Sequence, residues 1–244
     1  MAYVVLLEVA PRLKVPAPLG MALGAVLFTS LATVAAFLGG ATIAPMNVGG
    51  KLLWFLLGLA GCVTASRFDL GVAVDAFLIL AGVGFGALVL LAVRDRNLLV
   101  PVALVAAVVD LWGVTKGPTA MALKVAPEVV EEVSLKVASI GSVEPISFVG
   151  PGDIFFVALF GSAAVALGLR VWATMGWMVL LLACAMILAA FGPFSVPALP
   201  FVAVATLLAN REVFSLTREE KIATSAVTAA IALLLAVVSV ATAK

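Results

Sequence analysis

No histidine occurs among these 244 residues. That absence removes Ser-His nucleophilic catalysis, the H-E-x-x-H zinc hydrolases and every histidine-held metal or haem site. Cysteine is nearly as scarce. Cys62 and Cys184 stand in separate apolar stretches without ligand-like neighbours, a pattern that predicts inert buried thiols rather than a disulfide or a metal centre. No cofactor is expected. Charge is thin as well: Asp, Glu, Lys and Arg make up 11% of the chain, against about 25% in soluble domains. Hydrophobic residues account for 65%, and mean hydropathy is +1.30. Such a chain belongs in a bilayer. Net charge is +1, and the 14 Lys and Arg are scattered singly between apolar runs, which leaves no basic footprint for nucleic acid. The N-terminal MAYVVLLEVAPRLKVPAPLG carries an acid and prolines where a signal peptide has a basic start, an apolar core and a cleavage site, so no cleavage is expected.

What remains is a series of apolar runs of membrane-crossing length, about 17 to 25 residues, separated by short charged joints. The pattern predicts an all-α, polytopic transmembrane bundle of about eight spans: 17–39, 48–66, 70–93, 97–114, 151–169, 171–193, 195–210 and 220–243. Residues 1–10 are apolar but too few to span. The only long joint, 115–150, mixes Met121, Leu123, Val125, Val129, Val130 and Val133 with Lys124, Glu128, Glu131 and Glu132. It reads as an interfacial amphipathic helix broken near Pro127. Basic residues in alternate joints divide seven to seven, so charge does not orient the chain.

Thirteen carboxylates sort by depth. Most fall in polar joints, and Asp69, after Arg67, reads as a helix N-cap. Three lie in or at apolar runs, where an ionised carboxylate costs roughly 2.5–3.5 kcal/mol on insertion scales. Asp75 lies two turns inside its span, within reach of the interface, which favours a structural role. Asp110, in LVAAVVDLWGVTKGP, is fourteen residues into its run, and Asp153, in SFVGPGDIFF, begins the next. Because the chain folds back between them, adjacent helices are expected to bring these two carboxylates together. Two carboxylates at hydrogen-bonding distance cannot both ionise. They share a proton, leaving one poised as base toward water and the other as acid toward a carbonyl. Gly150 and Gly152, without side chains, admit close approach to Asp153, and Pro151 suits a helix start where no N–H is missed.

Two further stretches extend the pattern. The run VVDLWGVTKGPTAM, 108–121, resembles the segment around the first catalytic aspartate of presenilins, in which an aspartate is followed by Lys-Gly-Pro, here Lys116, Gly117 and Pro118. SVPALPFV, 195–202, carries a Pro-Ala-Leu motif at Pro197, Ala198 and Leu199, followed by Pro200 as in presenilins. With GPGD at 150–153, three motifs occur in the family's order. The chain thus resembles the G-x-G-D intramembrane aspartyl proteases, presenilins most closely and signal peptide peptidase more distantly. The resemblance implies a compact prokaryotic-type relative, multi-pass in the plasma membrane, that hydrolyses peptide bonds within transmembrane segments through Asp110 and Asp153. It assigns Gly150, Gly152, Pro197, Ala198 and Leu199 to framing of the site, and Lys116, Gly117 and Pro118 to a loop that gates substrate. It covers 97–210 as a catalytic core, between N-terminal helices in 1–96 and an additional helix in 211–244. The chain departs from presenilins in having three spans before Asp110 rather than five, a span after the Pro-Ala-Leu helix, valine before Asp110 and proline within G-x-G-D.

Other readings stay open. Prepilin peptidases also use G-x-G-D, but usually follow it with lysine, where Ile154 and Phe155 stand, and lack Pro-Ala-Leu. A proton- or cation-coupled transporter using Asp75, Asp110 and Asp153 is a different class. The geometric expectation of the protease reading is a polar, water-accessible cavity between Asp110 and Asp153, walled by Pro197–Leu199. The two classes separate at Asp75. For a protease, Asp75→Asn is expected to leave most peptide cleavage intact; for a transporter it is expected to stop proton-driven uptake into liposomes.

Overall fold

A bilayer offers backbone amides no water, so an apolar chain satisfies them internally, in helices. The computed structural model describes residues 9–10, 13–68, 70–117, 120–121, 125, 134–142, 145–192 and 195–242. Within them the chain is helical apart from one small sheet. The helices are α1 (Ala17–Ile43), α2 (Val48–Arg67), α3 (Gly71–Val89), α4 (Leu99–Thr115), α5 (Pro151–Ala166), α6 (Val171–Phe191), α7 (Leu199–Ala209) and α8 (Arg218–Thr242). Prolines enter at helix starts, where the missing N–H costs nothing, in α1, α5 and α7. Asn47 caps α2, its Oδ1 accepting the Gly50 N–H at 2.8 Å. α3 begins at Gly71 with Leu70 in the capping position. Asp69, expected as the cap, lies outside the described residues.

Among the described residues, six helical segments are long and apolar enough to cross a membrane: those built on α1, α2, α3, α4, α6 and α8. The expected spans 151–169 and 195–210 are shorter as helices. α5 has 16 residues and α7 has 11, about 24 and 17 Å at 1.5 Å per residue. β2 precedes α5, and residues 195–198 before α7 lie outside any helix, so each motif straddles its helix start.

The long joint corrects the sequence reading. From residue 135 on, where the helix was expected to continue, the chain is an antiparallel hairpin of β1 (Leu135–Ala138) and β2 (Pro145–Val149), with Lys136 opposite Phe148 and Leu135 opposite Val149; residues 122–133, except Val125, lie outside the described residues. The cause is period-two patterning: Leu135 and Val137 are fully buried while Lys136 between them is exposed. Gly141, at φ 86°, takes the left-handed conformation the turn requires. The break near Pro127 falls outside the described residues.

α1 is the central post. It packs against α3, α5, α6 and β1, and its Phe28 and Phe37 are completely buried. Small residues let backbones approach, and polar side chains then bridge them. Ser162 of α5 donates to the Gly40 carbonyl of α1 at 2.8 Å, and a Cβ on Gly161 would collide with the Phe37 carbonyl. α2 and α8 keep most of their surface exposed, as lipid-facing helices do. Cys62 is half-buried and Cys184 is exposed on α6, so the latter corrects the expectation of two buried thiols.

α6 and α7 are pinned by one side chain. Asn210 is fully buried at the end of α7; its Nδ2 donates to Thr174 Oγ1 at 2.8 Å and to the Thr206 carbonyl at 2.9 Å, and its Oδ1 accepts the Arg170 N–H at 2.8 Å. Asn210→Leu strands the Arg170 amide and removes the donor to Thr174 Oγ1, whose own hydroxyl still donates to the Arg170 carbonyl. It is expected to destabilise the fold by about 1–2 kcal/mol, seen as a lower unfolding midpoint in detergent.

Candidate active site

β2 ends one residue before Gly150, and the chain turns there into α5. Asp153 is the third residue of that helix. Its Oδ2 accepts the Gly150 N–H at 3.1 Å, while the Asp153 N–H donates to the Gly150 carbonyl at 3.1 Å. The exchange resembles a capping box in which glycine, having no side chain, contributes its carbonyl. The carboxylate is half-buried, and with one oxygen used by the cap the other is left for a second partner.

Asp110 lies five residues before the end of α4 and is also half-buried. Its Oδ2 accepts the Leu199 N–H at 2.9 Å, and the Ala198 N–H is directed at the same carboxylate. These are the first amides of α7, which have no partner inside the helix. A negative group at that end also meets the positive pole of the helix dipole. The Pro-Ala-Leu segment therefore does more than wall the site: it holds Asp110 by its backbone. Pro197 and Pro200 flank the two donating amides, so neither donor is lost to proline.

The two carboxylates are near enough to repel one another electrostatically. The expected close packing of their two helices is not what brings them there: α7 packs against both α4 and α5 and holds Asp110 at its start. Asp75 does not join them. It is 2% exposed on α3, accepts the backbone N–H of Lys136 and has the Lys136 ammonium as its neighbouring charge.

Beside Asp110 opens a cavity of about 650 Å³. α4 contributes Val102, Val105, Ala106, Val109, Trp112 and Gly113 among others; Phe156 of α5, Leu199 of α7, and Val227 and Ile231 of α8 complete it. The expected polar cavity spanning both aspartates is thus corrected: this one is apolar, Asp110 is its charged group, and Asp153, Pro197 and Ala198 are not on its wall. The C-terminal α8 closes one side, tied to α4 by Trp112 Nε1 donating to Ser239 Oγ at 2.7 Å.

Family models, curated proteins and solved structures yield no match to this chain. The reading of the site therefore rests on its own geometry.

The remaining motif residues divide clearly. Lys116 and Gly117 terminate α4, both N–H groups donating to the Trp112 carbonyl at 2.9 and 2.8 Å, and Gly117 packs against the Trp112 ring. Pro118 lies outside the described residues. Gly150 has Asp153 Oδ2 as the neighbour of its missing Cβ, at 3.4 Å; Gly152, which is exposed, has nothing within 4 Å. Gly152 is thus not a packing glycine, and its φ is not in the left-handed region. Sequence reasoning missed the Leu199 and Ala198 amides as functional groups and missed Phe156, Val105 and Ile231 as cavity walls. Apolar residues in an apolar helix give no signal of their own, but the short, proline-flanked start of α7 advertises free amides.

The glycines can be told apart by stability. Gly152→Ala is expected to melt at or slightly above the parent, since alanine favours helix by up to about 1 kcal/mol. Gly161→Ala is expected to melt lower, because overpacking a helix crossing costs about 1–3 kcal/mol. Thermal unfolding of the two variants side by side checks the distinction.

Proposed function

We propose that this chain is an intramembrane aspartyl endopeptidase, similar to the presenilins, that cuts transmembrane segments of peptides or proteins through Asp110 and Asp153. The observation that carries this is that the amides of the Pro-Ala-Leu segment hold Asp110, with Asp153 close enough to feel its charge.

The chemistry needs one proton between the two groups. The ionised member takes a proton from water as the water oxygen attacks the scissile carbonyl carbon, and the protonated member gives its proton to the carbonyl oxygen. The proton taken from water then passes to the departing nitrogen as the C–N bond breaks, while the hydroxyl of the collapsing intermediate returns a proton to the other carboxylate. Both aspartates end as they began, and no metal or cofactor takes part in this scheme. Fixed amide donors on each carboxylate limit reorganisation during transfer.

A helical substrate hides its amides in internal hydrogen bonds, so cleavage requires a locally extended chain. Two features suit one. Among the described residues, the outer edge of β2 has no strand partner, and β2 runs straight to Gly150. The open space beside Gly152 lies one residue from Asp153. The apolar cavity next to Asp110 suits the side chains of a membrane segment. In this reading the lipid bilayer delivers the substrate laterally, and residues 115–150 govern its access.

Purified protein in detergent or liposomes, given a single-span peptide and a chelator, is expected to release two products cut within the apolar segment. Asp110→Asn and Asp153→Asn are each expected to lower the rate by at least about 100-fold, the lower range for losing a general acid or base. Gly152→Ala is expected to cut slowly despite its intact fold. Mass spectrometry of the products decides: undiminished cleavage by the double aspartate variant contradicts the mechanism.

A further inference from the structure

Asp75 is a buried carboxylate that the mechanism does not use. It lies one turn into α3, and its partner comes from the hairpin: the Lys136 backbone N–H of β1. The Lys136 ammonium approaches the same helix face, 3.7 Å from where a Cβ on Gly71 would stand, four residues before Asp75. Lys136 is paired across the sheet with Phe148 of β2, and β2 reaches its end at Val149. The next residue, Gly150, holds Asp153 by its N–H. A short chain of contacts therefore runs from Asp75 through β1 and β2 to the cap of Asp153. On its other side the hairpin is held to α1, where the Ile140 N–H donates to the Gly20 carbonyl at 3.1 Å and Gly20 and Gly24 leave room for the strand.

A two-stranded sheet is marginal by itself. This one gains its place from these anchors, and the Asp75 anchor sits on the edge of β1 that faces away from β2. By occupying that edge, Asp75 leaves the outer edge of β2 as the one without a strand or side-chain acceptor of this kind among the described residues.

We propose that Asp75 is a positioning residue of the active site: its hold on Lys136 fixes the hairpin, and the hairpin fixes the Gly150 turn that presents Asp153. This rests on the reading of Asp110 and Asp153 as the catalytic pair. The role asks of Asp75 an acceptor oxygen at one place, not a titrating proton. Asparagine supplies the acceptor. Alanine does not, and Lys136, being exposed, stays solvated in either case.

The test compares Asp75→Asn, Asp75→Ala and Asp75→Ser with the parent, alongside Asp110→Asn. Cleavage of the single-span peptide is expressed as kcat per active site, with sites counted by titration with a tight-binding hydroxyl-bearing peptide mimic of the transition state. Asp75→Asn is expected to keep at least about half of kcat per site. Asp75→Ala and Asp75→Ser are expected to lose about 10- to 100-fold, the scale of a misplaced catalytic group. Amide exchange at Lys136 is expected to stay slow in Asp75→Asn and to quicken in Asp75→Ala.

Each other outcome has a definite meaning. Parental kcat per site in Asp75→Ala overturns the proposal, as does a fall only in the number of titratable sites, which marks a merely structural residue. Failure of both Asp75→Ala and Asp75→Ser to fold counts the same way. Asp75→Asn as slow as Asp75→Ala overturns it in favour of proton transfer by Asp75. Cleavage that survives Asp110→Asn instead defeats the underlying reading of the pair, which keeps the two failures distinct.

Discussion

A carboxylate kept at membrane depth needs hydrogen-bond donors, and a helix spends all its amides on itself except at its start. Asp110 and Asp153 both answer this constraint in the same way. Asp153 sits inside the first turn of α5 and takes the Gly150 amide, while Asp110 sits on another helix and takes the first amides of α7. Helices that start beside the acids are what make such amides available to them. The short lengths of α5 and α7, the prolines at their starts and the non-helical residues just before each follow from the same requirement. So does the packing around them, since α1 must hold α5 tightly through Gly40, Gly161 and Ser162 for the turn at Gly150 to stay in place.

Opposing this is the repulsion between the two carboxylates. Donors stabilise each negative charge, while proximity penalises having both. In the proposed mechanism that balance leaves one proton shared between them, the condition general acid–base hydrolysis needs. The third aspartate shows the contrast. Asp75 is the most buried of the three, yet it is tied to Lys136 in the hairpin and stands outside the pair.

Much of this was legible in the residues. Depth along apolar runs singled out Asp75, Asp110 and Asp153, but the expected direct packing of 97–114 on 151–169 gives way to α7, which packs against both helices. Long apolar runs in α1, α3 and α6 gave their helices because hydropathy there is continuous. The misses have physical causes. In 115–150 the charges among apolar residues suggested a helix, whereas L-K-V at 135–137 alternates with period two and Gly141 supplies a turn, signals that a long mixed joint dilutes. The helix of 195–210 begins only at Leu199, since Pro197 lacks an N–H and disfavours helical backbone at Val196. The cavity was expected to be polar because it holds an aspartate, but its walls are lipid-depth side chains of α4 and α8, and the shape between helices is not written in either helix alone. The backbone role of Ala198 and Leu199 was likewise hidden, since an amide donor carries no residue identity.

The central claim is that Asp110 and Asp153 behave as one titrating unit. Infrared spectroscopy of protein carrying ¹³C-labelled aspartate resolves their carboxyl stretches across pH, with Asp75→Asn used to remove the third buried band. Two separated steps are expected for the pair, and Asp110→Asn should leave a single step whose midpoint differs from both. If Asp153 titrates at the same midpoint with and without the Asp110 carboxyl, the two groups are independent and the account is wrong.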